Sequence, residues 1–142
     1  MVDRAVPTVL LLLALGGCAS GPATAPEAIP AGMAQLNVTR PSEWLYATVK
    51  ATVEVNGARV GDIARDDGYA ASIPAGRTTV SAFAASPPGR YSVSFNAESG
   101  KLYRLVVTPR REGYIPPAGS GSSDFTVTEN DGAFKLAPGV GR

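Results

Sequence analysis

The side chains that could do chemistry are few, and their types decide which chemistry is open. The chain of 142 residues has one cysteine, Cys18, and no histidine. Without histidine the commonest general base and the commonest metal ligand are missing, and with them every Ser-His or Cys-His arrangement. One cysteine makes no intramolecular disulfide and no zinc knot. Carboxylates remain. Asp62, Asp66 and Asp67 could offer oxygen ligands to calcium, yet Asp beside Gly68 is ordinary turn chemistry and the spacing is not that of an EF-hand. Glu43, Glu54, Glu98, Glu112 and Glu129 stand singly, whereas a glycosidase pair needs two carboxyls about 5–9.5 Å apart across a cleft. The residues therefore predict no cofactor, no metal and no enzyme. Lys and Arg number 13 against 12 Asp and Glu, so nothing marks a nucleic-acid footprint. Arg110-Arg111 could meet acidic headgroups or a partner, although two basic residues at a strand end are ordinarily just solvated. Two aromatic positions are candidate partner contacts. Trp44, between Glu43 and Leu45, reads first as a core plug, because a small sandwich needs large apolar side chains, and second as an exposed binding aromatic. Tyr114 opens the segment Tyr114-Ile115-Pro116-Pro117, either an aromatic-proline contact or a packed loop.

The position of Cys18 explains why a chain would keep one cysteine. Residues 8–15, TVLLLLAL, form an apolar run behind Arg4. That run is too short for a bilayer span of about 20 residues and fits the h-region of a secretory signal peptide. Leu15-Gly16-Gly17-Cys18 resembles a bacterial lipobox, the pattern cut by the lipoprotein signal peptidase just before the cysteine. The resemblance implies that the peptidase recognises Leu15, Gly16 and Gly17. It also implies that the Cys18 thiol carries a diacylglycerol and that the new amino terminus is acylated as well. One acyl chain binds a membrane marginally; two or more anchor stably, at about 0.8 kcal/mol per buried methylene. Residue 19 is Ala, not the Asp that tends to mark inner-membrane retention, so the expected place is the outer membrane, facing the periplasm. In such a protein the sequon Asn37-Val38-Thr39 is a chance match.

Beyond the cysteine, residues 19–33 carry Pro22, Pro26 and Pro30 among small residues and read as a tether. It would reach about 45 Å if polyproline-like and roughly 20–25 Å as a coil. From Ala34 apolar residues alternate. Leu36 and Val38 share a face before Arg40-Pro41-Ser42 breaks the strand. Ala47, Val49, Ala51, Val53 and Val55 predict a half-buried strand over 47–55. Asn56-Gly57 follows as a hairpin turn, and the slipped alternation of Val60 and Ile63 predicts a bulge near Gly61. Val80, Ala82 and Ala84 align, then Tyr91, Val93 and Phe95, then Tyr103, Leu105 and Val107, with Gly and Pro turns between them. A weaker pair, DFTVTEN and GAFKLAP, flanks Asp131-Gly132 and reads as a C-terminal hairpin. No amphipathic helix is evident. The fold expected is all-β, an antiparallel sandwich of about seven strands over 34–108 with a short β extension over 109–142.

The turns also carry a resemblance. Asn56-Gly57, Val60-Gly61, Pro74-Ala75-Gly76 and Ser99-Gly100-Lys101-Leu102-Tyr103, with the opening Thr39–Ser42, are similar to a bacterial lipoprotein module of unknown function. That module belongs with the PEGA-like and carboxypeptidase-regulatory-like β-sandwiches. The likeness covers about residues 34–108 and leaves the segment from Pro109 unexplained. It implies a small envelope-facing interaction or accessory domain and transfers no catalytic residue. The function expected is a non-enzymatic, lipid-anchored envelope protein, bound to the membrane through acyl chains and to a protein or cell-wall partner. A structural accessory subunit of an envelope complex, or a small envelope hydrolase, is the alternative.

Overall fold

The computed structural model describes residues 28–111 and 124–139. The expected signal peptide and lipobox, with Leu15, Gly16, Gly17 and Cys18, most of the expected tether, and Tyr114 lie outside the described residues. Nine strands are formed: β1 (Met33–Arg40), β2 (Ala51–Val55), β3 (Ala58–Ile63), β4 (Asp67–Pro74), β5 (Gly76–Phe83), β6 (Arg90–Ala97), β7 (Leu102–Pro109), β8 (Thr126–Asn130) and β9 (Phe134–Pro138). They make two sheets, of order β4-β1-β7-β9 and β3-β2-β5-β6-β8. The fold is all-β, as alternation with short Gly/Pro spacers requires.

Period-two burial builds the core between the sheets. Leu36 and Val38 of β1, Val53 of β2, Val80 of β5, Leu105 and Val107 of β7 and Phe134 of β9 are fully buried. Tyr103 and Phe95 stack at 4.6 Å across it. One pairing departs from the antiparallel expectation: β1 runs parallel to β7. Both strands leave the same end of the sandwich. There the Gly100 amide donates to Met33 O at 2.8 Å and the Gln35 amide to Lys101 O at 2.9 Å, so the turn before β7 is stitched to the first residues of β1.

The Asn56-Gly57 turn forms as expected, with φ of 51° and 80°. Asn56 also holds β5, its Oδ1 accepting the Thr79 amide and its own amide donating to Thr79 O, both at 2.8 Å. The bulge is present as well. Val53 pairs with Gly61 and Glu54 with Arg59, leaving Val60 as the extra residue. A β-branched side chain at the positive φ of Gly57 is strained, so Gly57→Val is expected to destabilise the domain by about 1–3 kcal/mol. A urea-unfolding midpoint by circular dichroism checks this, and an unchanged midpoint would refute it.

Two expectations need correction. The strand predicted over 47–55 starts only at Ala51, because residues before it fold into turns. The Ala47 amide donates to Trp44 O at 3.2 Å and the Val49 amide to Tyr46 O at 3.0 Å. The C-terminal pair is not a hairpin. β8 adds to β6 and β9 to β7, in opposite sheets, and Asp131-Gly132 turns the chain across the sandwich between them. Phe134 and Leu136 on β9 belong to the main core, which the outer strand of a detached hairpin could not reach.

Candidate functional site

Among the described residues most carboxylates are engaged within the fold, and Glu112 lies outside those residues. Asp62 accepts from Thr52 at 2.8 Å across the β2–β3 hairpin and from Arg59 of its own strand at 2.6 Å, and these two partners, Thr52 foremost, hold its carboxyl below the usual carboxylate range. Asp66 lies in the left-handed region at a turn, φ 61°, and Asp67 accepts the Gly68 amide at 2.8 Å. Glu54 pairs with Arg90, whose guanidinium lies 4.5 Å from the Phe83 ring centroid. Glu129 accepts from Ser92, whose hydroxyl meets that of Ser81 at 2.8 Å. Glu98 meets Lys101 at 2.6 Å and raises its pKa. Among the described residues no group of three potential ligands is placed to hold a metal ion. The sequon residue Asn37 sits within β1.

The aromatic candidate stands elsewhere. Trp44 is 81% exposed, which overturns its reading as a core plug. What keeps it out is Arg40, the last residue of β1 and on the same face as Leu36 and Val38. Its side chain is buried at 3% exposure. The guanidinium donates to Val49 O at 2.5 Å, Tyr46 O at 2.7 Å and Ile63 O at 3.2 Å, and lies 4.7 Å from the Phe134 ring centroid. Desolvation lowers its pKa, Glu43 raises it and Arg65 lowers it. Loop 41–50 is thus wound around a buried cation. Tyr46 takes φ of 56° in it and sets its ring edge-on to Phe134, 6.0 Å between centroids. A tyrosine in the left-handed region costs of order 1–3 kcal/mol, and such strain concentrates at functional positions. Sequence reasoning treated Arg40 as a strand breaker. Its spacing of two from Val38 and four from Leu36 was the signal that it continues their face.

Trp44 shares its end of the sandwich with two grooves. One, of about 270 Å³, lies among Glu43, Thr108, Pro109, Arg111 and Lys135. The other, of about 300 Å³, includes Tyr46, Pro87, Pro88, Arg110 and Arg111. Arg110 is fixed, donating to Asn130 O at 2.8 Å. Arg111 borders both grooves and is exposed, so the structure brings the basic pair next to the loop that presents Trp44. A larger hollow, about 430 Å³, opens at the other end beside Glu98, Lys101 and Tyr103, where Glu98 and Lys101 pair with each other and the Tyr103 hydroxyl accepts from the Glu98 amide and donates to Asn96 O.

The two ends differ in a further respect. The chain enters β1 where Gly32 accepts the Ala75 amide at 3.0 Å and donates to Ser99 Oγ at 3.0 Å. Trp44 follows the opposite end of the eight-residue β1, about 25 Å away along the strand. Comparison of the chain with known protein families, curated proteins and solved structures finds no match. The case for function therefore rests on these residues alone.

Proposed function

We propose that this is a lipid-anchored protein of the bacterial cell envelope, attached through Cys18 and facing the periplasm from the outer membrane. Its sandwich serves as a non-enzymatic interaction module of the PEGA-like and carboxypeptidase-regulatory-like kind. The observation that carries the reading is the opposition of the two ends. The tether joins the sandwich at Gly32, and the aromatic and arginine surface of Trp44 and Arg111 projects from the far end. An anchored protein arranged so offers that surface away from the lipid, at a reach set by residues 19–33. Large exposed aromatics on a preorganised loop, flanked by arginine, are the composition of binding hot spots.

The test has two arms. Cys18→Ser is expected to shift the protein from the membrane fraction to the soluble fraction, even without a salt wash; retention at parental levels would refute the anchor. Trp44→Ala is expected to leave the circular dichroism spectrum and the anchoring unchanged and to lower recovery of partner from detergent-solubilised envelopes at least tenfold. A folded, anchored and inactive Glu→Gln or Asp→Asn variant in complementation would turn the reading toward catalysis.

A further inference from the structure

Four strands border the two sheets: β4 and β9 flank one, β3 and β8 the other. A bare edge is a template for pairing with another chain, and proteins blunt it with bulges, charge, proline or brevity. β3 is bulged against β2. β8 has five residues and is bulged against β6. β9 has five residues, Lys135 among them, and ends in Pro138. β4 has no such device in its body. It is eight residues long, pairs with β1 from Asp67 to Pro74 without a register shift, and carries no charge from Gly68 to Ile73.

The backbone of β4 is set for a further strand. The Ala75 amide donates to Gly32 O, and the alternation of an antiparallel ladder carries that bonded pair on to Ile73, Ala71 and Tyr69. The N–H and C=O groups of Ala70 and Ser72 therefore point away from β1. Pro74, which has no N–H, falls on the same outward side. The outward Gly68 amide is met by Asp67 Oδ1. Among the described residues no backbone group outside the sheet bonds Ala70 or Ser72.

The geometry points to a second copy of this chain as the occupant, adding its own β4 antiparallel about a two-fold axis at Ala71. The segment is its own complement in that register. Tyr69 lies across from Ile73 on the core-facing side, an aromatic on a β-branched residue, which is a favourable cross-strand pair. Ala70 lies across from Ser72, small against small, and exchanges both backbone bonds with it. Asp67 falls opposite Ala75, so no charge meets its like. Centring on Ala70 instead sets Asp67 against Ile73 and Tyr69 against Ala71, and loses each of these matches. Pairing at Ala71 joins two four-stranded sheets into one.

Site-specific cross-linking of the full-length chain in the Cys18→Ser background tests this, since every thiol is then an introduced one. Across the axis Ala71 meets Ala71 in a non-hydrogen-bonded pair, with Cα atoms about 4.5 Å apart, inside the range a disulfide spans. Ala71→Cys is expected to form a covalent dimer under mild oxidation, and Val127→Cys on β8 to stay monomeric. Adding Ser72→Pro removes an outward N–H that β1 does not use. It should lower the dimer yield at least tenfold, with the circular dichroism spectrum unchanged as proof of folding. A monomeric Ala71→Cys chain, or equal cross-linking at Val127→Cys, overturns the proposal. So does cross-linking of Ala71→Cys in cells to a protein of different mass without a homodimer, which would assign the edge to a foreign strand.

Discussion

Arg40→Leu is expected to lower the stability of the domain by about 3 kcal/mol or more. Three carbonyl oxygens, of Tyr46, Val49 and Ile63, lose the guanidinium at once, and Tyr46 O keeps the Val49 amide as a second donor. A buried polar group left unsatisfied costs about 1–3 kcal/mol, and bonds to a charged donor stand at the upper end of the net range. Leucine restores apolar volume beneath Phe134 but supplies no donor, so packing offsets only part of the loss. On a domain of this size the change corresponds to a fall in Tm of about 10–20 °C. Arg40→Lys should lie between, because one ammonium cannot reach three acceptors laid out for a planar fork. Thermal melts followed by circular dichroism decide the matter; the single tryptophan is a poor reporter, being 81% exposed in the folded state. Equal melting of Arg40→Leu and the parent would mean that loop 41–50 is held by something other than this guanidinium.

The second large effect is expected at Gly132. Its backbone lies against that of Gly89, both at positive φ, 84° and 123°. A Cβ on Gly132 would stand 2.5 Å from Gly89 O, and one on Gly89 would stand 2.6 Å from Gly132 Cα. Neither atom is the movable tip of a side chain, so the clash yields only by separating the β8–β9 turn from the loop before β6. The Asp131 amide, which donates to Arg90 O at 2.9 Å, and the Arg110 amide, which donates to Ala133 O at 2.7 Å, are tied to the same corner. Left-handed strain of about 1 kcal/mol or more adds to the displaced contacts. Gly132→Ala should thus cost about 2–4 kcal/mol, measured as a shift in the urea midpoint. Gly57→Ala is the control: it bears the strain of positive φ but meets nothing within 4 Å. Should the two alanine variants unfold at the same midpoint, the close approach of Gly89 and Gly132 would not exist in solution.

These two sites mark where local pattern stops being informative. The alternation at Leu36–Val38, Tyr91–Phe95 and Tyr103–Val107, and the Asn56-Gly57 turn, could be read because their causes lie within a few residues. The β8–β9 segment could not, because Asp131-Gly132 is equally good chemistry for a hairpin and for a turn between sheets. What separates the two is the approach of Gly89, some forty positions earlier in the chain. Residues 47–50 alternate as well as residues 51–55 do, yet Arg40 draws the carbonyls of Tyr46 and Val49 toward itself before a ladder can form. Trp44 is exposed for the same reason: size argued for burial, but its loop is fixed by a cation it does not touch. The Asp66-Asp67-Gly68 turn was legible as a turn and forms as one, with Asp66 at φ 61° and Asp67 accepting the Gly68 amide, whereas Asp62 lies within β3 and ties it to Thr52 of β2.

The parallel pairing of β1 with β7 bears on how this domain would answer a pull. Tension entering at Gly32 acts along β1, which lies between two neighbours, β4 over eight residue pairs and β7 over five. With the load taken by Arg111, just past the far end of β7, β1 must slide against β7, so the bonds of that parallel ladder share the force and break together. A hairpin strand at a sheet border, pulled from its turn, would surrender its bonds one after another. Forced unfolding is governed by the barrier to leaving the native state, and an interior strand loaded in shear places that barrier high.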